Sequence, residues 1–160
     1  MGRKADRVLV LGIGNTLLSD EGAGVHAVRQ LQAISGNRAG IDYIDGGTLS
    51  FTLAGPIEES DAVVVIDAAD FGAEAGAVQV FEGKAMDDFL SATRKRSVHE
   101  IGLHDLMSVA ALAGRLPERR ALIGIQPREL GWGDVPTPRV VEGIARACAQ
   151  ALEIIERWHA

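Results

Sequence analysis

An unbroken apolar run at Val8–Ile13, followed at once by a glycine turn, constrains the fold more than any other feature of the chain. A strand exposed on one face alternates apolar and polar residues, so a continuous run indicates a strand buried on both faces. The chain then passes through Gly14 into the acidic pair Asp20 and Glu21, where a helical pattern begins. In an open α/β sheet, the loop leaving such a strand opens into the ligand crevice.

The rest of the chain alternates between strand-like and helix-like patterns. Further strands are expected at residues 41–44, 62–66, 78–81 and 121–125, and helices at residues 23–34, 49–57, 84–93, 104–112 and 138–158. The helix at 49–57 is expected to break near Pro56. This alternation predicts an α/β fold, a three-layer α/β/α sandwich with a twisted, mostly parallel sheet of about five strands. No linker or repeat interrupts residues 1–160, which predicts a single domain.

Composition narrows the classes of function. The 160 residues carry 22 Asp and Glu against 16 Lys and Arg, and a net charge of -6 argues against nonspecific nucleic-acid binding. No apolar run is long enough for a bilayer or a secretory signal, so no membrane association is expected. The single cysteine, Cys148, excludes an internal disulfide and lies in an apolar helical pattern, which predicts a core position. A cytoplasmic location fits these features.

The turn Gly12-Ile13-Gly14 could belong to a dinucleotide fingerprint, but two features weaken that interpretation. The third glycine of the fingerprint is replaced by Leu17. Asp20 and Glu21 would also repel a phosphate at the start of the helix. The glycines are better explained by a sharp turn off the strand.

Three side chains from separate segments are candidates for a site in the crevice. Glu21 lies in the first loop, Asp67 follows the apolar run at 63–66, and His99 lies in a loop before a helix. Each also has a structural explanation, as a helix cap, a solvated strand end or an ordinary surface histidine. For Asp20, capping the following helix is the expected role. His104 competes with His99, whereas His26 is expected to face solvent from the first helix.

A carboxylate pair with an imidazole suits zinc, nickel or cobalt and leaves coordination positions open. An open position lets the ion polarise a carbonyl or acidify a bound water. The chain has no Gly-x-Ser-x-Gly elbow, and nothing in the setting of Cys148 would activate its thiol. Hydrolysis by a water that a metal or a carboxylate activates is the remaining mechanism.

Five segments in order carry a resemblance that spans nearly the whole chain: GIGNTLLSDEGAGV, IDGGT, VVVIDAAD, SVHEIGLHDL and ALIGIQP. Together they resemble the [NiFe]-hydrogenase maturation endopeptidase family. The resemblance implies a metal-dependent or aspartyl-type peptidase that removes a C-terminal extension from the hydrogenase large subunit after nickel insertion. It places nickel binding and catalysis on Glu21, Asp67 and His99. It also associates a loop with substrate choice, formed by Asp45, Gly46, Gly47 and Thr48.

Our hypothesis from this resemblance is that nickel arrives with its substrate, the large-subunit precursor, and positions the scissile peptide. The free protein is then expected to be a monomer. Many relatives have a small residue where this chain has His104, which leaves open which of the two histidines meets the metal; His99 occupies the matching place. Two alternatives remain: a noncatalytic chaperone that senses nickel on the large subunit, and a nucleotide-binding α/β protein.

Overall fold

The structure, a computed structural model, describes residues 6–36, 38–93 and 102–159. Five strands form one sheet in the order β2-β1-β3-β5-β4. They are β1 (Val8–Ile13), β2 (Ile41–Gly47), β3 (Ala62–Ala68), β4 (Val78–Glu82) and β5 (Arg119–Ile125). The continuous apolar runs of the sequence lie in β1, β3 and β5, the three central strands of this sheet.

The strand register confirms a mostly parallel sheet. Val8 of β1 lies opposite Ile41 of β2 and Ala62 of β3, with all three strands parallel. β3 pairs with β5 in the same direction. Only β4 among the strands of this sheet is antiparallel, with Val78 opposite Ile125. The carboxyl ends of β1, β2, β3 and β5 therefore share one edge of the sheet, which we call the carboxyl edge.

Helices cover both faces of the sheet, which confirms the three-layer sandwich. They are α1 (Ala23–Ser35), α2 (Ala54–Glu58), α3 (Lys84–Thr93), α4 (Leu103–Leu112) and α5 (Pro138–His159), with 3-10 turns at Ser19–Gly22 and Phe51–Leu53. Apolar side chains of α1 and α5 form one buried layer with the sheet, and those of α2, α3 and α4 form the other. None of the helices in the described part of the chain combines the length and hydropathy needed to cross a bilayer.

Cys148 confirms its predicted core position. It is 3% exposed, and its Sγ donates a hydrogen bond of 3.4 Å to the carbonyl oxygen of Ala27 on α1. Burial raises the pKa of the Cys148 thiol to about 11. A thiol that stays protonated and enclosed is a packing residue and not a nucleophile.

Two local expectations were wrong. β2 continues three residues past the predicted 41–44, because Asp45 and Gly47 pair with Gly12 and Ile13 through an irregularity that skips Gly46. Pro56 does not break its helix. It lies in the first turn of α2, where a missing N–H has no helical partner to lose.

The strand order creates a crevice between β1 and β3. The chain leaves β1 towards α1 and β2 on one side, whereas β3 leads towards β4 and β5 on the other. Connections that diverge from neighbouring parallel strands leave a gap at the carboxyl edge, where α/β proteins bind ligands.

Candidate functional site

Glycine contacts bring the start of α1 directly onto the ends of β1 and β3. A Cβ on Gly24 would lie 2.1 Å from the carbonyl oxygen of Ile66, and a Cβ on Gly12 would lie 2.3 Å from that of Gly24. Neither position can hold a side chain without moving backbone. This packing places Glu21, in the turn before α1, beside Asp67, the residue after Ile66.

Gly14 makes the turn that carries Glu21 back over the end of β1. Its φ of 134° is a conformation that residues with a side chain rarely adopt, and a Cβ there would lie 2.0 Å from the carbonyl oxygen of Glu21. Its N–H donates a hydrogen bond of 2.8 Å to the carbonyl oxygen of Gly47, which links this turn to the end of β2. Gly14 therefore serves the fold of the crevice, as the sequence indicated.

Glu21 and Asp67 interact electrostatically across the crevice. Burial and then the negative charge of Glu21 raise the pKa of Asp67 well above its usual value of 3.8, against an opposing hydrogen bond from the backbone of Ala68. Two carboxyl groups in this relation favour a state in which one holds a proton. Such a pair can exchange a proton with a substrate or bind a cation that offsets its charge.

His99, the third predicted ligand, lies outside the described residues. Within residues 6–36, 38–93 and 102–159, no three His, Cys, Asp or Glu side chains are placed to share a metal ion. The structure thus brings together two of the three predicted site residues. The ligand role of all three remains a prediction.

His104, the competitor of His99, lies in the first turn of α4. Its side chain is half-buried, and its Nδ1 is enclosed without a hydrogen-bond partner among the described residues. Because α4 begins directly after residues 94–101, His104 follows the segment that carries His99.

Asp20 does not cap the helix, contrary to the expectation. It is fully buried, and its carboxylate accepts hydrogen bonds from the backbone N–H groups of Arg128 and Glu129, both at 2.8 Å, and of Thr137 at 2.7 Å. The Thr137 hydroxyl also donates to it. Burial alone would raise the pKa of Asp20, but the hydrogen bonds from Glu129, Thr137 and Arg128 hold it below its usual value of 3.8. Asp20 ties the loop after β1 to the loop after β5.

The predicted substrate loop lies next to the Gly14 turn. Asp45 accepts hydrogen bonds from Arg29 of α1 at 2.9 Å and from the N–H of Gly47 at 3.0 Å. Gly46 is half-buried, and the exposed Thr48 follows the strand. The loop therefore has a defined conformation beside the crevice. Its role in substrate binding is still a prediction.

Gln126 has a structural role at the carboxyl edge that the sequence did not indicate. It directly follows β5 and is 8% exposed. Its Oε1 accepts hydrogen bonds from the N–H groups of Phe71 and Ala73, and its Nε2 donates to Asp70 at 3.1 Å. The only sequence signal was a polar residue directly after an apolar strand, and that signal does not identify its partners.

His26 is not on the solvent face of α1, so this expectation was wrong. The side chain is half-buried, and its Nε2 is enclosed without a partner among the described residues. Burial and the charge of Arg29 lower the pKa of His26, against the charge of Asp45. The side chain is therefore neutral near pH 7.

Comparison with known proteins supports this fold. The family model of the HycI hydrogenase maturation protease matches residues 25–158. The hydrogenase expression/formation protein HupD of Bradyrhizobium diazoefficiens is 38% identical over 154 residues, which cover 96% of this chain and 80% of HupD. HupD of Rhodobacter capsulatus is 38% identical over 156 residues, or 97% of this chain and 74% of that protein.

A solved structure shows the same architecture. The hydrogenase maturating endopeptidase HybD of Escherichia coli superposes with a TM-score of 0.85 at 30% identity, covering 94% of this chain and 93% of HybD. The family match, the relatives and this fold agree with one another. This chain therefore belongs to the hydrogenase maturation protease family.

Proposed function

We propose that this chain removes the C-terminal extension of a [NiFe]-hydrogenase large-subunit precursor after nickel has been inserted. Family membership establishes a peptidase, which favours this function over a noncatalytic chaperone or a nucleotide-binding protein. The observation that carries the proposal is the Glu21 and Asp67 pair at the crevice between β1 and β3. Such a pair can accept and return the proton of an attacking water, which suits a hydrolase that uses neither a serine nor a cysteine nucleophile.

Nickel belongs to the substrate in this proposal. The ion held by the precursor contacts Glu21, Asp67 and His99, so the scissile peptide is positioned only when nickel is present. Two adjacent carboxylates repel each other, and a divalent cation between them offsets that repulsion. Oxygen and imidazole ligands suit nickel, and a partly open coordination sphere leaves room for the ligands of the precursor. Cleavage then depends on nickel through positioning of the substrate.

The hydrolytic step needs one activated water. Its oxygen forms a bond to the scissile carbonyl carbon while a carboxylate of the pair accepts a proton. The C–N bond then breaks, and the leaving nitrogen takes a proton to become an amine. The carboxylate that accepts the proton from water can return it to this nitrogen, so the pair ends the reaction in the protonation state in which it began.

In this proposal, the loop from Asp45 to Thr48 contacts the precursor beside the scissile bond. Gly47 is hydrogen-bonded to Gly14, so this loop adjoins the turn that leads to Glu21. The bonds from Arg29 and from Gly47 to Asp45 keep the loop in one conformation. A loop held this way can select among precursors that differ near the cleavage site.

The test compares nickel-loaded and nickel-free precursor incubated with the purified protein, with the mass of the precursor followed over time. We expect only the nickel-loaded precursor to lose its extension. Glu21→Gln should abolish cleavage, whereas Glu153→Gln, at an exposed position of α5, should leave it unchanged.

Other results would contradict specific parts of the proposal. Equal cleavage of both precursors would exclude dependence on nickel. Full activity of Glu21→Gln would remove Glu21 from the site. A stable complex that never changes the mass of the nickel-loaded precursor would favour the chaperone.

A further inference from the structure

Four exposed apolar side chains lie on the two loops that Asp20 joins. Trp132 is 83% exposed, Val135 66%, Leu17 58% and Leu130 52%. Single exposed apolar residues are common on protein surfaces, but a group on adjoining loops marks an interaction surface. We call these four side chains the docking rim.

Backbone contacts show that the two loops adjoin. The N–H of Gly133 donates to the carbonyl oxygen of Leu17 at 2.9 Å, and that of Ser19 donates to the carbonyl oxygen of Gly133 at 2.8 Å. The Ser19 hydroxyl donates to the carbonyl oxygen of Gly131 at 2.8 Å. Trp132 lies between these two bonded glycines, directly beside the backbone that carries Leu17.

The docking rim is held in place from below by polar groups. The buried carboxylate of Asp20 receives N–H groups from Arg128, Glu129 and Thr137. A Cβ on Gly133 would lie 2.7 Å from the Ser19 hydroxyl oxygen, so Gly133 packs directly against the Ser19 side chain. Burying a carboxylate is unfavourable unless its oxygens are bonded. The fold thus uses buried polar contacts to order a loop whose largest apolar side chain points into solvent.

We propose that the docking rim binds an apolar surface of the large-subunit precursor next to its C-terminal extension. This rests on the proposed function. The rim is continuous with the crevice, because Leu17, Ser19 and Glu21 belong to one loop. A folded protein whose extension reaches Glu21 comes close to this loop. Exposed tryptophans held on rigid loops are typical centres of binding energy in protein interfaces.

A second copy of this chain is a poorer occupant. Bound to the docking rim, it would stand over the crevice and obstruct a protein substrate. Dimerisation through the rim therefore predicts activity that falls as the concentration of the protease rises. The precursor is the partner whose docking serves the crevice.

The experiment measures Kd, KM and kcat with nickel-loaded precursor for the wild type, Trp132→Ala and Leu17→Ala. Leu112→Ala is the control, since Leu112 is 90% exposed but ends α4, in the connection to the amino end of β5. We expect Trp132→Ala to raise Kd and KM by at least about tenfold, Leu17→Ala by a smaller factor, and kcat to change less than KM. Leu112→Ala should match the wild type.

Several outcomes decide the proposal. Unchanged Kd and KM for Trp132→Ala, with the wild type active, would overturn the docking rim while leaving the proposed function intact. A wild type that binds the precursor through Trp132 but does not cleave it would contradict the proposed function alone. Conversion of a dimer to a monomer by Trp132→Ala in light scattering would assign the rim to self-association and overturn the proposal.

Discussion

Burial and the negative charge of Glu21 together raise the pKa of Asp67, although the two residues belong to different connections of the sheet. Their proximity depends on the start of α1, which packs directly against the carbonyl oxygen of Ile66. Only glycine at position 24 permits so close an approach. The fold therefore holds two carboxyl groups together at a cost in stability. Such a cost is typical of a functional site.

Replacing Asp67 should stabilise the free protein and inactivate it. Burial and Glu21 raise the pKa of Asp67, so ionising it opposes folding. Asp67 keeps its carboxyl proton in the folded protein at pH values where the unfolded chain has lost it. The stability of the wild type therefore falls as pH rises above about 3.8 towards the folded pKa of Asp67. Asp67→Asn removes that loss.

We expect the melting temperature of Asp67→Asn at pH 7 to rise by a few degrees, roughly 2–4 °C for each 1 kcal/mol. The difference in melting temperature from wild type should grow with pH. It should vanish below about pH 4, because Asp67 is then protonated in both the folded and the unfolded protein. Asp88→Asn, at an exposed position of α3, is the control. A melting temperature lowered by Asp67→Asn would contradict the electrostatic relationship.

Asp20→Asn should destabilise the protein at neutral pH. An amide has one acceptor oxygen where the carboxylate has two, so its NH₂ group would face either the N–H of Thr137 or those of Arg128 and Glu129. We expect a loss of about 2–4 kcal/mol in the free energy of unfolding, measured by urea denaturation.

The pH dependence of Asp20→Asn has the opposite sign to that of Asp67→Asn. Hydrogen bonds lower the folded pKa of Asp20, so its contribution to stability is present above its usual value of 3.8 and is lost as pH falls through the lower folded value. The gap between wild type and Asp20→Asn should therefore shrink below about pH 4. A gap independent of pH would show that the charge of Asp20 is not what stabilises the loops.

Gly24→Ala tests the close approach of α1 to the sheet. Its methyl group would lie 2.1 Å from the carbonyl oxygen of Ile66, so α1 must shift and carry Glu21 away from Asp67. We expect a loss of about 3 kcal/mol or more in the free energy of unfolding and a large loss of cleavage. Gly55→Ala on α2 meets nothing within 4 Å and should be neutral or gain up to about 1 kcal/mol from helix propensity. Wild-type behaviour of Gly24→Ala would refute the glycine contact.

The thiol of Cys148 should react only after unfolding. Burial raises its pKa to about 11, so at pH 8 almost no thiolate forms in the folded protein. Alkylation by iodoacetamide, followed by mass spectrometry, should be slow without denaturant and fast above the urea midpoint. Rapid modification of the folded protein would contradict the core position.

Local pattern was sufficient to predict the layers of this protein. Continuous apolar runs predicted the strands because central parallel strands are buried on both faces, and helical spacing predicted α1 and α5 because each turns one apolar face to the sheet. Residues at strand ends were sufficient to nominate Glu21 and Asp67, since parallel strands present their carboxyl ends at one edge. His99 was nominated from its place in a loop before a helix and from the family motif, and it lies outside the described residues.

Only the tertiary structure decided what the polar side chains contact. Asp20 has the sequence features of a helix cap, but its partners lie more than a hundred residues away and became neighbours when β5 joined the sheet. His26 has the spacing of a solvent-facing residue, yet its side chain is half-buried in the folded chain and its Nε2 is enclosed. The sequence determined which segments are buried, because burial follows local apolar periodicity. The carboxylate of Asp20 joins two loops, whereas that of Asp67 lies at the crevice. This difference depends on contacts between distant segments, which exist only in the folded chain.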